Sequence, residues 1–378
     1  PTSLSMDSDR VLQLLARLVA VPSLSGHEEK VCDIVAEHVE SLGFVAERQE
    51  VYKTGYNVVT RIGDGGDVLF CGHLDVVPEY DMADAFRPRV VGDKLYGRGA
   101  CDMKGGVVSL LLLLESLRQM EPEPNASFAF VVDEEMYGRG AAELMRRGMR
   151  AEICVITEPT SNVICVGNAS CMEFRLTASG KSGHGASRAD GNAVKSLMRF
   201  YEIFERRVMT ELDVRNSDFP MSPIINLGRF EGGYGGWVIP SKAFCEVLVH
   251  MHPSISYRDG LDIVRRLVKE TAEELGAVVE LTMLHGCDGF ILPQTNQYLH
   301  KLKQAYSMET GQQPKTGLIE SETDGNALYH KGGIPCIVYG PGDIAYAHSS
   351  QEHVSIKDVI ECYRVLRRFI NMVSGSRN

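Results

Sequence analysis

Apolar runs of strand length alternate with longer amphipathic segments along most of the chain. Each of four runs ends close to a polar residue: VLFCG before His73, FAFVV before Asp133, ICVIT before Glu158 and PCIVYG before the loop with His348. Continuous apolar runs that alternate with helix-length segments are typical of a mostly parallel sheet covered by helices. The pattern therefore predicts an α/β fold with a mostly parallel central sheet.

Ligands of such sheets bind beyond the carboxyl ends of the strands, so polar residues at those ends are expected to face one crevice. Five residues on short, separate segments suit a metal ion, namely His73, Asp102, Glu135, Glu158 and His348. Two imidazoles and three carboxylates are enough for two zinc ions that share one bridging carboxylate.

Local signals place several helices. Ser25 followed three residues later by Glu28 is typical of a capping box, and Ser355 with Asp358 predicts the start of the last helix. The segment VVSLLLLLE is shorter than the roughly 20 apolar residues that span a bilayer. We therefore predict a buried helix there.

The pattern changes between about residues 170 and 285. CMEFRLTASG, SPIINLGRF and KAFCEVLVHM predict strands, whereas NAVKSLMRFYEIFERR and GLDIVRRLVKETAEEL predict amphipathic helices. Two helices on one face of an antiparallel sheet form an α+β unit. Because candidate site residues flank it, we expect an inserted domain at 170–285 between two parts of a catalytic domain, 1–169 and 286–378.

Composition narrows the class of protein. A chain of 378 residues exceeds the usual size of one domain, and its net charge of −11 offers no electrostatic footprint for nucleic acid or an anionic membrane. The ten cysteines are scattered, without a CxxC pair, and the first ten residues are too polar for a signal peptide. These features predict buried thiols in a protein of the reducing cytoplasm.

The motifs GHLDVVP, YGRGACDMKGG, DEE, TEP and the late HSS occur together in this order. In this set the chain resembles the family of acetylornithine deacetylase, succinyl-diaminopimelate desuccinylase and glutamate carboxypeptidase, which are two-zinc hydrolases. The resemblance covers nearly the whole chain. It implies that Asp102 bridges both ions, that Glu135 and His348 complete one zinc, and that His73 and Glu158 complete the other.

Asp75 and Glu134 receive supporting roles. Asp75 lies two residues after His73, hence on the same face of an extended chain, where a carboxylate can accept the second imidazole N–H. The resemblance implies this orienting role. Side chains of Glu134 and Glu135 diverge, so one can hold metal while the other takes a proton from the attacking water. The family match supports Glu134 as general acid and base.

The inserted domain carries a further candidate, His184 in SGKSGHGASRADGN. It matches the family's lid histidine, which reaches the active site of the partner subunit and stabilises the oxyanion. The resemblance thus implies a homodimer, in which the inserted domain is both the lid and the dimer contact.

The sequence departs from the family at the positions that recognise substrate. Trp237 in WVIP stands where asparagine is usual, His250 falls at the position of a carboxylate-binding arginine, and Asn326 replaces an arginine of the desuccinylases. Imidazole and amide do not replace a guanidinium fork. We therefore expect neither succinyl desuccinylation nor glutamate release.

These observations predict a zinc-dependent amide hydrolase, with cobalt as an alternative metal, that removes an acyl group from an N-acyl amino acid or related amine. A dipeptidase or carboxypeptidase of the same family is the nearest alternative. A metal-binding scaffold without catalysis is the alternative from a different class. A small-molecule substrate and a second copy of the chain are the expected partners, with no nucleic acid and no membrane.

Overall fold

The computed structural model describes residues 3–121, 123–188 and 190–375, and the chain divides into two compact units. Unit 1 comprises the chain up to Gly167, Leu292–Gly317 and the chain from Thr323 onwards. Unit 2 comprises Asn168–Ile291 and Leu318–Glu322. The chain therefore passes between the units at more than one point.

The helices of the described residues are α1 (Ser3–Val19), α2 (Glu29–Ser41), α3 (Gly105–Leu117), α4 (Arg139–Arg146), α5 (Ala193–Glu211), α6 (Tyr257–Leu275), α7 (Gln297–Thr310), α8 (Asp324–His330) and α9 (Ile356–Gly375). The strands are β1 (Glu47–Tyr52), β2 (Gly55–Ile62), β3 (Val68–His73), β4 (Arg89–Val91), β5 (Lys94–Tyr96), β6 (Ala126–Val131), β7 (Ile153–Ile156), β8 (Ile164–Asn168), β9 (Ser170–Ser179), β10 (Gly183–His184), β11 (Ile224–Gly232), β12 (Val238–Ile239), β13 (Lys242–Met251), β14 (Val278–Cys287), β15 (Phe290–Ile291), β16 (Thr316–Ile319), β17 (Cys336–Val338) and β18 (His353–Ser355).

The main sheet of unit 1 runs in the order β1, β2, β6, β3, β7, β17, β8. β3 pairs in parallel with β6 and β7, β17 is parallel to β7, and β2 is antiparallel to β6. Every residue of β3, β6 and β7 is buried, as expected for parallel strands covered on both faces. These strands confirm the predicted α/β class.

The most apolar helix, α3, is the buried helix predicted from its leucine run. Residues 105–114 are all buried, and the helix packs against β3, α1 and α9. Its one buried hydroxyl, on Ser109, donates a hydrogen bond to the carbonyl of Val359 at 3.0 Å, so burial leaves this polar group satisfied. Among the described residues, no helix combines the length and the apolar character needed to cross a bilayer.

The two capping predictions have opposite outcomes. Ser355 is confirmed, because its hydroxyl accepts a hydrogen bond from the N–H of Asp358 at 3.2 Å. The capping box at Ser25 and Glu28 is wrong. The hydroxyl of Ser25 donates to Asp75 at 2.7 Å, and the carboxylate of Glu28 accepts from the N–H of Asp133 at 3.2 Å. Both side chains serve tertiary contacts, and α2 begins without a side-chain cap.

Unit 2 is an α+β unit, as the change of pattern predicts. Its sheet is antiparallel in the order β11, β13, β9, β14. Alternate residues of β9 and β13 pack with α5 and α6 in one hydrophobic core, in which Phe174, Phe200 and Phe204 are fully buried. A short separate pair, β10 with β12, joins His184 to Val238.

Candidate metal centre

The carboxyl ends of the buried parallel strands carry most of the predicted site residues. His73 is the last residue of β3, Glu134 and Glu135 follow β6, and Glu158 follows β7. Because neighbouring parallel strands end at the same edge of a sheet, these side chains converge. Asp102 joins them from an irregular turn at Ala100–Lys104.

His73 stands at the centre of three carboxylates. Its Nε2 atom lies 3.0 Å from Oδ1 of Asp102, 3.5 Å from Oε1 of Glu158 and 3.7 Å from Oε2 of Glu134. The imidazole is fully buried, so these carboxylates surround it without intervening solvent.

His348 contacts the second carboxylate oxygen of Asp102, the predicted bridging residue. Its Nε2 atom lies 3.2 Å from Oδ2 of Asp102 and 3.1 Å from Oε1 of Glu135. The two oxygens of Asp102 thus face two different imidazoles, His73 and His348. The imidazole of His348 is half-exposed, whereas that of His73 is buried, so the site is open on one side.

Asp75 contacts both His73 and the segment that carries Glu134 and Glu135. The Nδ1 atom of His73 lies 2.9 Å from the main-chain carbonyl of Asp75 and 3.5 Å from its carboxylate. The carboxylate accepts hydrogen bonds from the N–H groups of Glu134 and Glu135, at 3.1 and 3.0 Å, and from Ser25. Asp75 therefore lies against the imidazole with both its carbonyl and its carboxylate, and it holds the Glu134–Glu135 segment through its carboxylate.

Glu352 positions the turn that carries Asp102. One carboxylate oxygen of Glu352 accepts hydrogen bonds from the N–H groups of Gly99, Cys101 and Asp102 at 2.9, 3.2 and 3.1 Å. Gly99 has a φ of 81°, in the left-handed region that favours glycine. The buried carboxylate thus holds three main-chain N–H groups of the turn that carries the bridging candidate, including the N–H of Asp102 itself.

Arg98 completes this support. Its guanidinium pairs with the second oxygen of Glu352 and donates to the carbonyl of Ser349 at 3.2 Å, next to His348. Both charged side chains are almost fully buried. The pair therefore ties the Asp102 turn to the His348 loop. The sequence reasoning missed both residues, because motif letters alone do not show that a charge is buried.

The carboxyl groups of the site are buried close to one another. Burial raises the pKa of Glu134 and Glu158 well above the usual range, with neighbouring carboxylates adding to the rise and His73 opposing it. Burial, together with Asp102, raises the pKa of Glu135 to about 7. Burial and mutual repulsion thus disfavour the charged form of these carboxyl groups, and a bound cation would relieve both effects.

The pKa values of the two imidazoles are raised as well, which favours their charged form. Burial opposes their charge, but Glu158 and Glu134 outweigh it and raise the pKa of His73 well above its usual value. Against the same effect of burial, hydrogen bonds with Asp102 and Glu135 raise the pKa of His348 to about 11. The carboxylates thus draw positive charge onto both rings.

The donor set fits divalent metal ions. Donor atoms of His73, Asp102 and Glu135 lie within 4.8 Å of one another, and so do those of His73, Glu134 and Glu158. Imidazole nitrogens and carboxylate oxygens at about 2.0–2.2 Å are the ligands of catalytic zinc, so opposite donors of one ion are about 4 Å apart or less. The residues present can therefore hold metal at this edge of the sheet.

Three further residues singled out in the sequence, His184, Trp237 and His250, belong to unit 2. His184 ends β10 in unit 2, and its Nδ1 accepts a hydrogen bond from the N–H of Ala186 at 3.1 Å. Beside it, Trp237 has 80% of its surface exposed, and its carbonyl accepts from Gly185 at 2.7 Å. His250 lies on β13 in unit 2, where burial lowers its pKa.

Asn326 is engaged in the fold of unit 1. Its side-chain oxygen accepts a hydrogen bond from the N–H of Thr323 at 3.0 Å, and Thr323 in turn caps α8. The residue is 3% exposed. Asn326 therefore has a structural role that the sequence did not indicate.

Comparisons with known proteins agree on one family. The sequence profile of peptidase family M20/M25/M40 matches residues 69–372. A succinyl-diaminopimelate desuccinylase of Methylobacterium radiotolerans is 29% identical, over 93% of this chain and 93% of its own length. An acetylornithine deacetylase of Myxococcus xanthus is 27% identical, over 96% and 97%. These matches confirm the resemblance that the motifs indicate.

A solved structure shares the fold. A tripeptidase of Staphylococcus aureus superposes with a TM-score of 0.79 over 97% of this chain and 99% of its own, at 20% identity. At that identity the likeness concerns the fold alone.

We expect Glu352→Gln to weaken metal binding in unit 1 by about 10- to 100-fold, which is typical of losing a group behind the metal ligands. An amide has one acceptor oxygen, so it cannot serve both Arg98 and the Asp102 turn. Metal content after dialysis against graded chelator concentrations measures the effect. The matched control is Glu115→Gln, which also loses an arginine pair, with Arg10, in unit 1. Equal metal affinity in both variants would contradict the role of Glu352.

Proposed function

Because the chain belongs to peptidase family M20/M25/M40, we propose that it removes an acyl group from an N-acyl amino acid or a related amine by metal-dependent hydrolysis of a linear amide. The observation that carries the proposal is the position of Asp102, whose two carboxylate oxygens each face a different imidazole. Two relatives named as a desuccinylase and a deacetylase support an acyl amine as the substrate.

We propose two metal ions, zinc first and cobalt as the alternative. His73 and Glu158 would hold one ion, His348 and Glu135 the other, and Asp102 would bridge them. The distances of 3.0–3.5 Å around each imidazole support these pairings. When bound, such ions polarise the amide carbonyl and lower the pKa of a water molecule to about 7.

Glu134 is the proposed general base and acid. Its carboxylate lies beside His73, and the N–H of Glu134 is held by Asp75, so the side chain has a defined position. It would accept a proton from the attacking water and later donate that proton to the leaving amine. Asp75 would orient His73, because its carbonyl and its carboxylate lie 2.9 and 3.5 Å from the Nδ1 atom, which leaves Nε2 free to ligate.

A second copy of the chain is part of the proposal. His184 would stabilise the oxyanion in the site of the partner subunit. Its exposed position at the end of β10, next to the exposed Trp237, supports a role outside the core of unit 2. We also propose a reducing, cytoplasmic location, supported by ten free thiols of which nine are buried.

Substrate recognition follows from the same exposed surface. Trp237 offers a large apolar face, whereas His250 and Asn326 give no fixed guanidinium for a substrate carboxylate. The amide of Asn326 is already engaged with Thr323. We therefore propose that acyl groups or amines with an apolar or aromatic portion are preferred.

The first test concerns the base. We expect Glu134→Gln to lower kcat by about 10²- to 10⁴-fold while both metal ions are retained, because the residue moves protons without being a ligand. Asp102→Ala should instead lose metal. Turnover of N-acyl amino acids and metal content are measured on the same preparations. A metal-replete Glu134→Gln enzyme with near-normal kcat would refute the assignment.

The second test concerns the partner subunit. Inactive His184→Ala and inactive Glu134→Gln subunits should regain activity on mixing, because a mixed dimer has one site with both residues intact. Random exchange of equal amounts should restore about a quarter of the wild-type activity. Subunit exchange is checked with labelled chains. Complete exchange without activity would show that His184 does not act across an interface.

The third test concerns the substrate. We expect N-acyl compounds with an aromatic portion to have a higher kcat/KM than succinyl-diaminopimelate or unblocked dipeptides. Trp237→Ala should lower kcat/KM for the aromatic substrates by about 2- to 10-fold. Tyr234→Ala, which removes another exposed aromatic ring of the same loop, is the control. Efficient desuccinylation, above every apolar analogue tested, would overturn this reading, and preference for dipeptides would favour a peptidase.

A further inference from the structure

We infer that unit 2 carries a metal site of its own, in which Cys171, His285, Cys287 and Glu322 bind one zinc ion. The four side chains each offer one donor atom, and these atoms all lie within 4.8 Å of one another. The site lies entirely in unit 2 and shares no residue with the candidate metal centre of unit 1.

The sheet of unit 2 brings the two thiols together. Cys171 on β9 and Cys287 on β14 are directly opposite in the antiparallel register, and directly opposite side chains share a face. Met172 and Phe174 of β9 pack in the helix-covered core. Cys171 alternates with them and therefore belongs to the other face of the sheet.

An irregularity in β14 adds the imidazole to the same face. The register shifts between Met283, which faces Phe174 in the pairing, and His285, which faces Glu173. The extra residue reverses the alternation, so His285 leaves the core face on which Met283 packs. His285 and Cys287 are then two residues apart on one face.

Glu322 closes the cluster from a separate segment, Leu318–Glu322. Its Oε2 atom lies 2.8 Å from Nε2 of His285 and accepts a hydrogen bond from the thiol of Cys171 at 3.0 Å. The two sulfur atoms of Cys171 and Cys287 are 3.4 Å apart. Donors of a tetrahedral zinc site are about 3.3–3.8 Å apart, so small outward shifts of these atoms would admit the ion.

The donor types select zinc over harder ions. Two thiolates are soft ligands and the imidazole is a borderline one, so the set favours zinc over magnesium or calcium, although its carboxylate would suit either kind of ion. Binding of zinc would release the thiol protons of Cys171 and Cys287 to water, together with any proton on the ligating imidazole nitrogen, and would replace the present contacts of Cys171 and His285 with Glu322.

Three of the four proposed ligands lie near the ends of the two chain segments that form unit 2. Cys171 lies just after the chain enters unit 2, Cys287 just before it leaves, and Glu322 is the last residue of the second segment. One ion would therefore join both ends of the first segment of unit 2 to the end of its second segment. The imidazole of His285 is half-exposed, which leaves a path for the metal to enter.

The test uses the full chain carrying Asp102→Ala, so that it does not depend on the proposed hydrolase activity. The reduced, chelator-treated protein is titrated with Co²⁺, and thiolate-to-cobalt charge transfer is followed by absorption. The candidate centre of unit 1 offers only nitrogen and oxygen donors, so this band reports the thiols of unit 2. We expect the band in this protein, and one bound zinc per chain when Zn²⁺ replaces Co²⁺.

Added Cys171→Ser and Cys287→Ser substitutions should each abolish or strongly weaken the band and remove that zinc. Cys245→Ser is the matched control, because Cys245 lies in the same sheet but packs in the helix-covered core. It should keep the band. Glu322→Gln, a smaller change, should lower the cobalt affinity and shift the band.

Two results would overturn the site. The first is that the reduced protein shows no charge-transfer band. A Cys171–Cys287 disulfide found by mass spectrometry in unreduced protein would not change that conclusion. The other is a band that survives in both serine variants.

Discussion

Burial of several carboxylates at one edge of a parallel sheet is the constraint on which the rest of unit 1 depends. Asp102, Glu134, Glu135 and Glu158 lie together beyond the ends of fully buried strands, and burial works against their charge. The imidazoles of His73 and His348 offset part of this negative charge. Such an arrangement costs stability unless a cation joins it, so the edge is built for metal binding at the expense of the metal-free fold.

The groups behind these carboxylates show how the fold limits that cost. Asp75 and Glu352 are themselves buried, yet each accepts several hydrogen bonds from main-chain N–H groups. Such hydrogen bonds favour the ionised form of a buried carboxylate and so oppose the effect of burial. Such a carboxylate can then fix the backbone of the residues that face the metal, so the second layer of charge serves geometry rather than chemistry.

The two candidate metal sites differ in their donor atoms and in how open they are. Unit 1 presents imidazole and carboxylate donors with one side open, which suits an ion that must also meet a substrate. The cluster of unit 2 adds two thiols opposite each other in a sheet, and a closed set of four donors is typical of a structural ion. The two proposed sites would thus serve different purposes, catalysis in unit 1 and the joining of chain segments in unit 2.

The sequence by itself determined the α/β class, the buried α3, the α+β insertion and the family, because apolar runs and motifs are local features. It also led to the candidate ligands, because His73, Glu135 and Glu158 lie at or shortly after the ends of buried strands and Asp102 and His348 belong to short motifs. Only the tertiary structure paired Arg98 with Glu352, which are 254 residues apart, and Cys171 with Cys287, which are 116 apart. The predicted cap at Ser25 was wrong, because the hydroxyl of Ser25 donates its hydrogen bond to the distant carboxylate of Asp75. Burial and long-range pairing decide such contacts, and neither is written in a short stretch of residues.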